Sequence, residues 1–197
     1  DTGELLSAGE GWYQNRYGVT LQDDEILSLA GSQEGFAHVA LTLCDPGDVV
    51  LVPNPGYPVF EAGPFLNDAK IAYYELDKTN HYAPALDKIP EELAKKAKMM
   101  VVSYPLNPTC TCIEKADYEK IIAFAKKYNI AIIHDNAYSE IEYDGRTGFS
   151  FLSVPGAKEV GIEFNSLSKT YNLTGIRISF ALGNKELIQK FKTVRSQ

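Results

Sequence analysis

Short apolar runs recur along this chain with helical stretches between them, and that alternation restricts the fold more than any other feature. Runs at 26–30, 49–52, 71–74, 99–103, 130–133, 160–164 and 176–181 read as strands. Helices are predicted from 31–35 to about Leu43, over 59–66, 91–98 and 114–129, and from Lys185 onward. Tyr118, Ile121, Ile122, Ala125 and Tyr128 fall on one face of the 114–129 helix. Ahead of the first strand, Leu5, Leu6, Trp12, Tyr13 and Tyr17 recur at near-helical spacing with no obvious cap, until Gly18 stops them. The alternation predicts an α/β fold: a mostly parallel central sheet with helices on both faces, in three α/β/α layers. Ligands of such sheets bind beyond the carboxyl ends of the strands.

The residues that follow the predicted strands are chemically uneven. After 160–164 come Ser166, Ser168 and Lys169, with Arg177 eight positions further on. A primary amine between two hydroxyls, with a guanidinium nearby, suits an aldehyde cofactor that carries a phosphate. The amine condenses with the aldehyde, and the hydroxyls and guanidinium grip the phosphate. Ser166-x-x-Lys169 also fits the start of penicillin-recognising enzymes, but no Ser-Asp-Asn or Lys-Thr-Gly completes that set. After 26–30, Gly31-Ser32-Gln33 opens a helix, where free backbone N–H groups favour a phosphate, though an ordinary turn reads the same way. After 99–103 the loop Tyr104 to Thr109 presents Asn107. After 130–133 come His134, Asp135 and Tyr138. A carboxylate there needs a positive partner if it is buried; the plainer alternative is a helix N-cap. His134 reads as a packed core histidine rather than a catalyst.

Composition narrows the classes. With 197 residues, 45% of them apolar and 23% charged, the chain can bury one large core. A net charge of −7 gives no encouragement to nucleic-acid or anionic-membrane binding, and no apolar run is long enough to span a bilayer. Three cysteines argue against a disulfide framework, and the Cys110/Cys112 pair lacks the companions of a zinc site. A reducing cytoplasm fits best.

Taken together and in order, these segments resemble a known family. Gly31-Ser-Gln-Glu-Gly35, Asn54-Pro-Gly-Tyr-Pro58, Tyr104-Pro-Leu-Asn-Pro-Thr109, His134-Asp-Asn-Ala-Tyr138 and Ser166 through Arg177 are similar to motifs of the class I/II pyridoxal-phosphate aminotransferases of fold type I. The wording is closest to the LL-diaminopimelate and aspartate aminotransferase-like branch. The resemblance implies pyridoxal 5′-phosphate as cofactor and Lys169 as the lysine that binds it and shuttles the substrate proton. It implies Asp135 opposite the pyridinium nitrogen, Tyr138 and Asn107 on the phenolic oxygen, and Tyr57 against the ring. Ser32, Gln33, Ser166, Ser168 and Arg177 match the phosphate cup. Cys110 and Ser179 stand where the family commonly has glycine.

The resemblance further implies a cofactor-binding large domain over 1–197, without the family's N-terminal segment and C-terminal small domain. The arginine that grips the substrate carboxylate has no match here. A homodimer is expected for the intact protein, with an amino acid and a 2-oxo acid as substrates. Two other readings share the scaffold: a pyridoxal-phosphate lyase or decarboxylase, and the effector domain of a transcription regulator.

Overall fold

The structure, a computed structural model, describes residues 2–196, so the end residues of the expected 1–197 domain lie outside the described residues. Seven strands form one sheet in the order β1-β7-β6-β5-β4-β2-β3. They are β1 (Ile26–Leu29), β2 (Val49–Asn54), β3 (Lys70–Glu75), β4 (Ala97–Ser103), β5 (Ala131–Asn136), β6 (Gly161–Ser166) and β7 (Ser179–Gly183). The longer helices are α1 (Gly3–Tyr17), α2 (Ser32–Leu43), α3 (Val59–Leu66), α5 (Lys115–Tyr128) and α8 (Lys185–Arg195). Three single-turn helices complete the set: α4 (Glu91–Ala94), α6 (Ala157–Val160) and α7 (Leu167–Thr170).

Both faces of the sheet are covered, as the near-continuous apolar strands require. One face packs Phe36, Val39, Phe60, Ile188 and Phe191, from α2, α3 and α8, against Val52, Met99, Val101, Ile133 and Phe164. The other packs Tyr13 of α1 and Tyr118, Ile121 and Ile122 of α5 against Leu51, Met100, Val102, Ile132 and Leu182. Alternate residues of each strand serve opposite cores, so Asp135 shares the α2 side with Ile133 while His134 shares the α5 side with Ile132.

The β2–β3, β2–β4, β4–β5 and β5–β6 pairs are parallel, and β7 runs antiparallel to both β1 and β6. A parallel return needs a crossover, and between β6 and β7 the chain has only α7 and a 3₁₀ turn at Thr174–Ile176. The expected strand at 176–181 therefore starts later. Ile176 lies in the turn, and Arg177 takes a left-handed backbone with φ 59°. The reversal still serves the site: Ser166 pairs with Ser179, which pairs with Leu29. The carboxyl ends of β1 and β6 and the amino end of β7 thus meet at one edge of the sheet.

Four smaller expectations are corrected. The helix expected over 91–98 is one turn, because Ala97 already belongs to β4. His134, Asp135 and Asn136 are the last residues of β5 rather than a loop after it. No helix follows at once, so Asp135 is not an N-cap. Helix α1 does carry a cap, with the Thr2 hydroxyl oxygen accepting from the Leu5 N–H at 3.4 Å.

Candidate active site

The edge where the strands end holds a cavity of about 420 Å³. Its lining contains every residue singled out from the sequence: Ser32, Gln33, Tyr57, Asn107, Asp135, Tyr138, Ser166, Ser168, Lys169 and Arg177. Ala137 and Thr174 also line it, and neither was foreseen. Both are tucked between motif residues, and nothing in their own chemistry singles them out.

Asp135 is 7% exposed, and among the described residues its Oδ1 has no hydrogen-bond partner. Burial, and then the negative charge of Glu163, push its carboxyl up to about 7, while Ser103 on the neighbouring strand offsets part of the rise. An unpartnered buried carboxyl oxygen is expensive in a resting fold and is satisfied by a cationic N–H. Beside it, the Tyr138 hydroxyl is raised by burial and by the Asp135 charge, and a hydrogen bond with Asn107 partly offsets this. Tyr57 accepts a hydrogen bond from Gln33 Nε2 at 2.8 Å, which fixes its ring at the cavity wall.

The opposite part of the lining is suited to an anion. Helix α2 begins at Gly31, which provides no side-chain cap, so its first N–H groups remain available. The Arg177 guanidinium donates to the Thr174 carbonyl at 3.0 Å. A side chain on Gly31 would collide with that guanidinium, and φ 90° at Gly31 is itself glycine territory. Ser166 and Ser168 are buried, and the Ser166 hydroxyl oxygen accepts from the Ser168 N–H at 3.2 Å. That contact caps α7, the single turn that presents the exposed Lys169.

Amine, buried carboxyl, flanking phenol and anion cup thus share one cavity. A phosphorylated heterocyclic aldehyde fits them: a ring N–H would satisfy Asp135 Oδ1, and a phosphate would meet Arg177 and the start of α2. A larger cavity of about 510 Å³ adjoins through Asn107 and Tyr138. Its walls include Leu106, Pro108, Ile141 and Tyr143, and it has neither the lysine nor the buried carboxyl.

The family described as aminotransferase class I and II matches residues 4–197. The chain belongs to that family. Members of it depend on pyridoxal phosphate. An LL-diaminopimelate aminotransferase of Syntrophobacter fumaroxidans is 45% identical over 187 residues, covering 94% of this chain and 48% of the relative. That of Aquifex aeolicus is 45% identical over 194 residues, covering 98% and 50%. Among solved structures, apo BacF from Bacillus subtilis superposes with a TM-score of 0.96 at 39% identity, over 98% of this chain and 49% of that one. A probable N-succinyldiaminopimelate aminotransferase from Thermus thermophilus gives 0.92 at 36% identity, over 98% and 52%. The chain spans about half the length of the curated relatives it matches.

Proposed function

We propose that the intact protein transfers an amino group between an amino acid and a 2-oxo acid, and that this chain is its cofactor-binding large domain. The observation that carries the reading is the meeting of Lys169 and Asp135 in one cavity with an anion cup. Pyridoxal phosphate, once bound, supplies a carbonyl for an amine and an aromatic cation that delocalises the electron pair left on the substrate Cα.

In this reading Lys169 would hold the cofactor and, once freed, move the substrate Cα proton. Asp135 would pair with the ring nitrogen and favour its cationic form. Tyr138 and Asn107 would donate to the phenolic oxygen, and Tyr57 would offer its aromatic face to the ring. Arg177, Ser166, Ser168 and the backbone N–H groups of Ser32 and Gln33 hold the phosphate, with Arg177 offering a planar, always-charged donor fork.

Relatives named as LL-diaminopimelate aminotransferases support that diamino acid as the first substrate to try, and they favour amino-group transfer over the lyase, decarboxylase and regulator readings. A homodimer is supported by the exposed apolar side chains of Tyr171, Leu173 and Ile176 in the segment that follows Lys169. A cytoplasmic location is supported by three free cysteines. Among the described residues no helix is long and apolar enough to cross a membrane.

The test uses full-length enzyme. Incubation with LL-diaminopimelate and 2-oxoglutarate is expected to yield glutamate, and borohydride treatment should leave the cofactor on the peptide containing Lys169. Lys169→Ala should bind cofactor only reversibly and lose turnover by at least about 100-fold. Cofactor trapped on another lysine, or ammonia released in place of glutamate, would refute the reading.

A further inference from the structure

One residue joins the anion cup to the turn that presents the lysine, and no motif pointed to it. Thr174 lines the cavity and opens the 3₁₀ turn Thr174–Ile176 between α7 and β7. Its hydroxyl donates to the Ser168 carbonyl at 3.2 Å, one residue before Lys169. Its own carbonyl accepts from the Arg177 guanidinium at 3.0 Å. The Ser168 N–H is bonded in turn to the Ser166 hydroxyl oxygen. The contacts therefore run unbroken from Ser166 through Ser168 and Thr174 to Arg177.

The segment needs such a tie. Residues 171–177 are exposed, and Asn172 and Arg177 take φ of 55° and 59°, a left-handed backbone that is costly for residues with a Cβ. Among the described residues the Thr174 hydroxyl makes the one side-chain hydrogen bond that residues 171–176 have. The backbone bonds there are local: the Asn172 N–H donates to the Lys169 carbonyl at 3.4 Å, and the Ile176 N–H to the Leu173 carbonyl at 3.1 Å. Neither reaches Arg177. Threonine suits the task, because branching at Cβ restricts χ1 and holds the hydroxyl toward its acceptor. The guanidinium spends one N–H on Thr174 and keeps the rest of its fork, with room left by the bare Gly31.

We propose that Thr174 is a positioning residue, fixing the Arg177 guanidinium relative to the Lys169 turn as a ligand with both a carbonyl and a phosphate requires. With its hydroxyl proton committed to Ser168, the Thr174 side chain offers an anion no donor, so it acts through Arg177. A contact that only stabilised the turn would affect ligands with and without a phosphate alike. One that aims Arg177 affects the phosphate alone. The inference deepens the cofactor reading above and rests on it, but the anion cup can be probed with inorganic phosphate by itself.

The experiment uses full-length protein stripped of cofactor. Fluorescence titration gives the dissociation constants of pyridoxal phosphate and of pyridoxal, which lacks the phosphate, and phosphorus NMR gives that of inorganic phosphate. Thr174→Val keeps the shape and loses the hydroxyl. It should weaken pyridoxal phosphate and inorganic phosphate by about threefold to tenfold, the worth of one hydrogen bond, and leave pyridoxal within about twofold. Thr174→Ser, which restores the hydroxyl, should bind pyridoxal phosphate within about twofold of wild type. In an Arg177→Ala background Thr174→Val should cost pyridoxal phosphate no further affinity. Should the valine variant not fold, Thr174→Ala takes its place. Unchanged pyridoxal phosphate affinity in Thr174→Val, an equal loss for pyridoxal, no rescue by serine or a full further loss beside Arg177→Ala each overturns the proposal. Inorganic phosphate responding as expected in a protein that does not bind pyridoxal phosphate would instead refute the cofactor reading.

Discussion

A carboxyl group buried at the bottom of a cavity with one oxygen unpartnered destabilises the fold whenever it ionises, and Asp135 is such a group. Its folded-state pKa of about 7 lies above the unfolded value of roughly 4. The folded chain therefore binds more protons between about pH 4 and 7, and stability falls as pH rises through that window. Asp135→Asn should leave the cofactor-free protein more stable than wild type at pH 8, by about 1 kcal/mol or more. Near pH 4 the two should be almost equal; urea unfolding of the full-length protein at the two pH values checks this. Equal stabilities at pH 8 would mean that the buried carboxyl carries no such cost. Two other residues depart from the glycines common at their positions, with different consequences. Cys110 has φ 58°, so its backbone sits in the left-handed region at a cost of about 1 kcal/mol. Ser179 lies in an ordinary strand, but its buried hydroxyl has no hydrogen-bond partner among the described residues.

At the scale of elements, the anion cup depends on α2 and the loop before β7 approaching each other at Gly31 and Arg177. The helix supplies N–H groups because no side chain caps it, and the guanidinium fits only because Gly31 has no Cβ. Gly31→Ala should therefore displace Arg177 and weaken pyridoxal phosphate binding by about tenfold or more, the worth of one charge-assisted hydrogen bond. Fluorescence titration of the full-length protein measures this, and an unchanged dissociation constant would show that Arg177 does not depend on the gap. Motif spelling made α2 and its opening residues legible. The reversal of β7 was not legible, because 176–181 has the composition of any buried strand. Direction is set by what the chain can cross in the preceding connection, and α7 is too short to recross the sheet.

At the scale of the whole molecule, the parallel strands and β1 send their carboxyl ends to one edge, and the antiparallel β7 brings its amino end there. Residues far apart in sequence, from Ser32 to Arg177, reach one cavity for that reason. In the segment that follows Lys169, Tyr171 and Ile176 are about half exposed, at 51% and 54%, and large apolar side chains exposed together mark a contact surface. In the intact protein, Ile176→Asp should weaken self-association by about tenfold or more, since an unpaired charge would enter an apolar contact. Sedimentation equilibrium reads the constant directly; no change would remove this segment from any subunit interface.

Periodicity and motif spelling alone determined the α/β class, the helices on both faces and the residues to look for at the strand ends. Those depend on local pattern, since alternation of apolar runs and the chemistry of single side chains are written in order along the chain. Only the tertiary structure decided that β7 runs backwards and that Gly31 makes room for Arg177. Each of those joins residues well separated in sequence, and burial and electrostatic coupling act across space, where sequence order carries no distance.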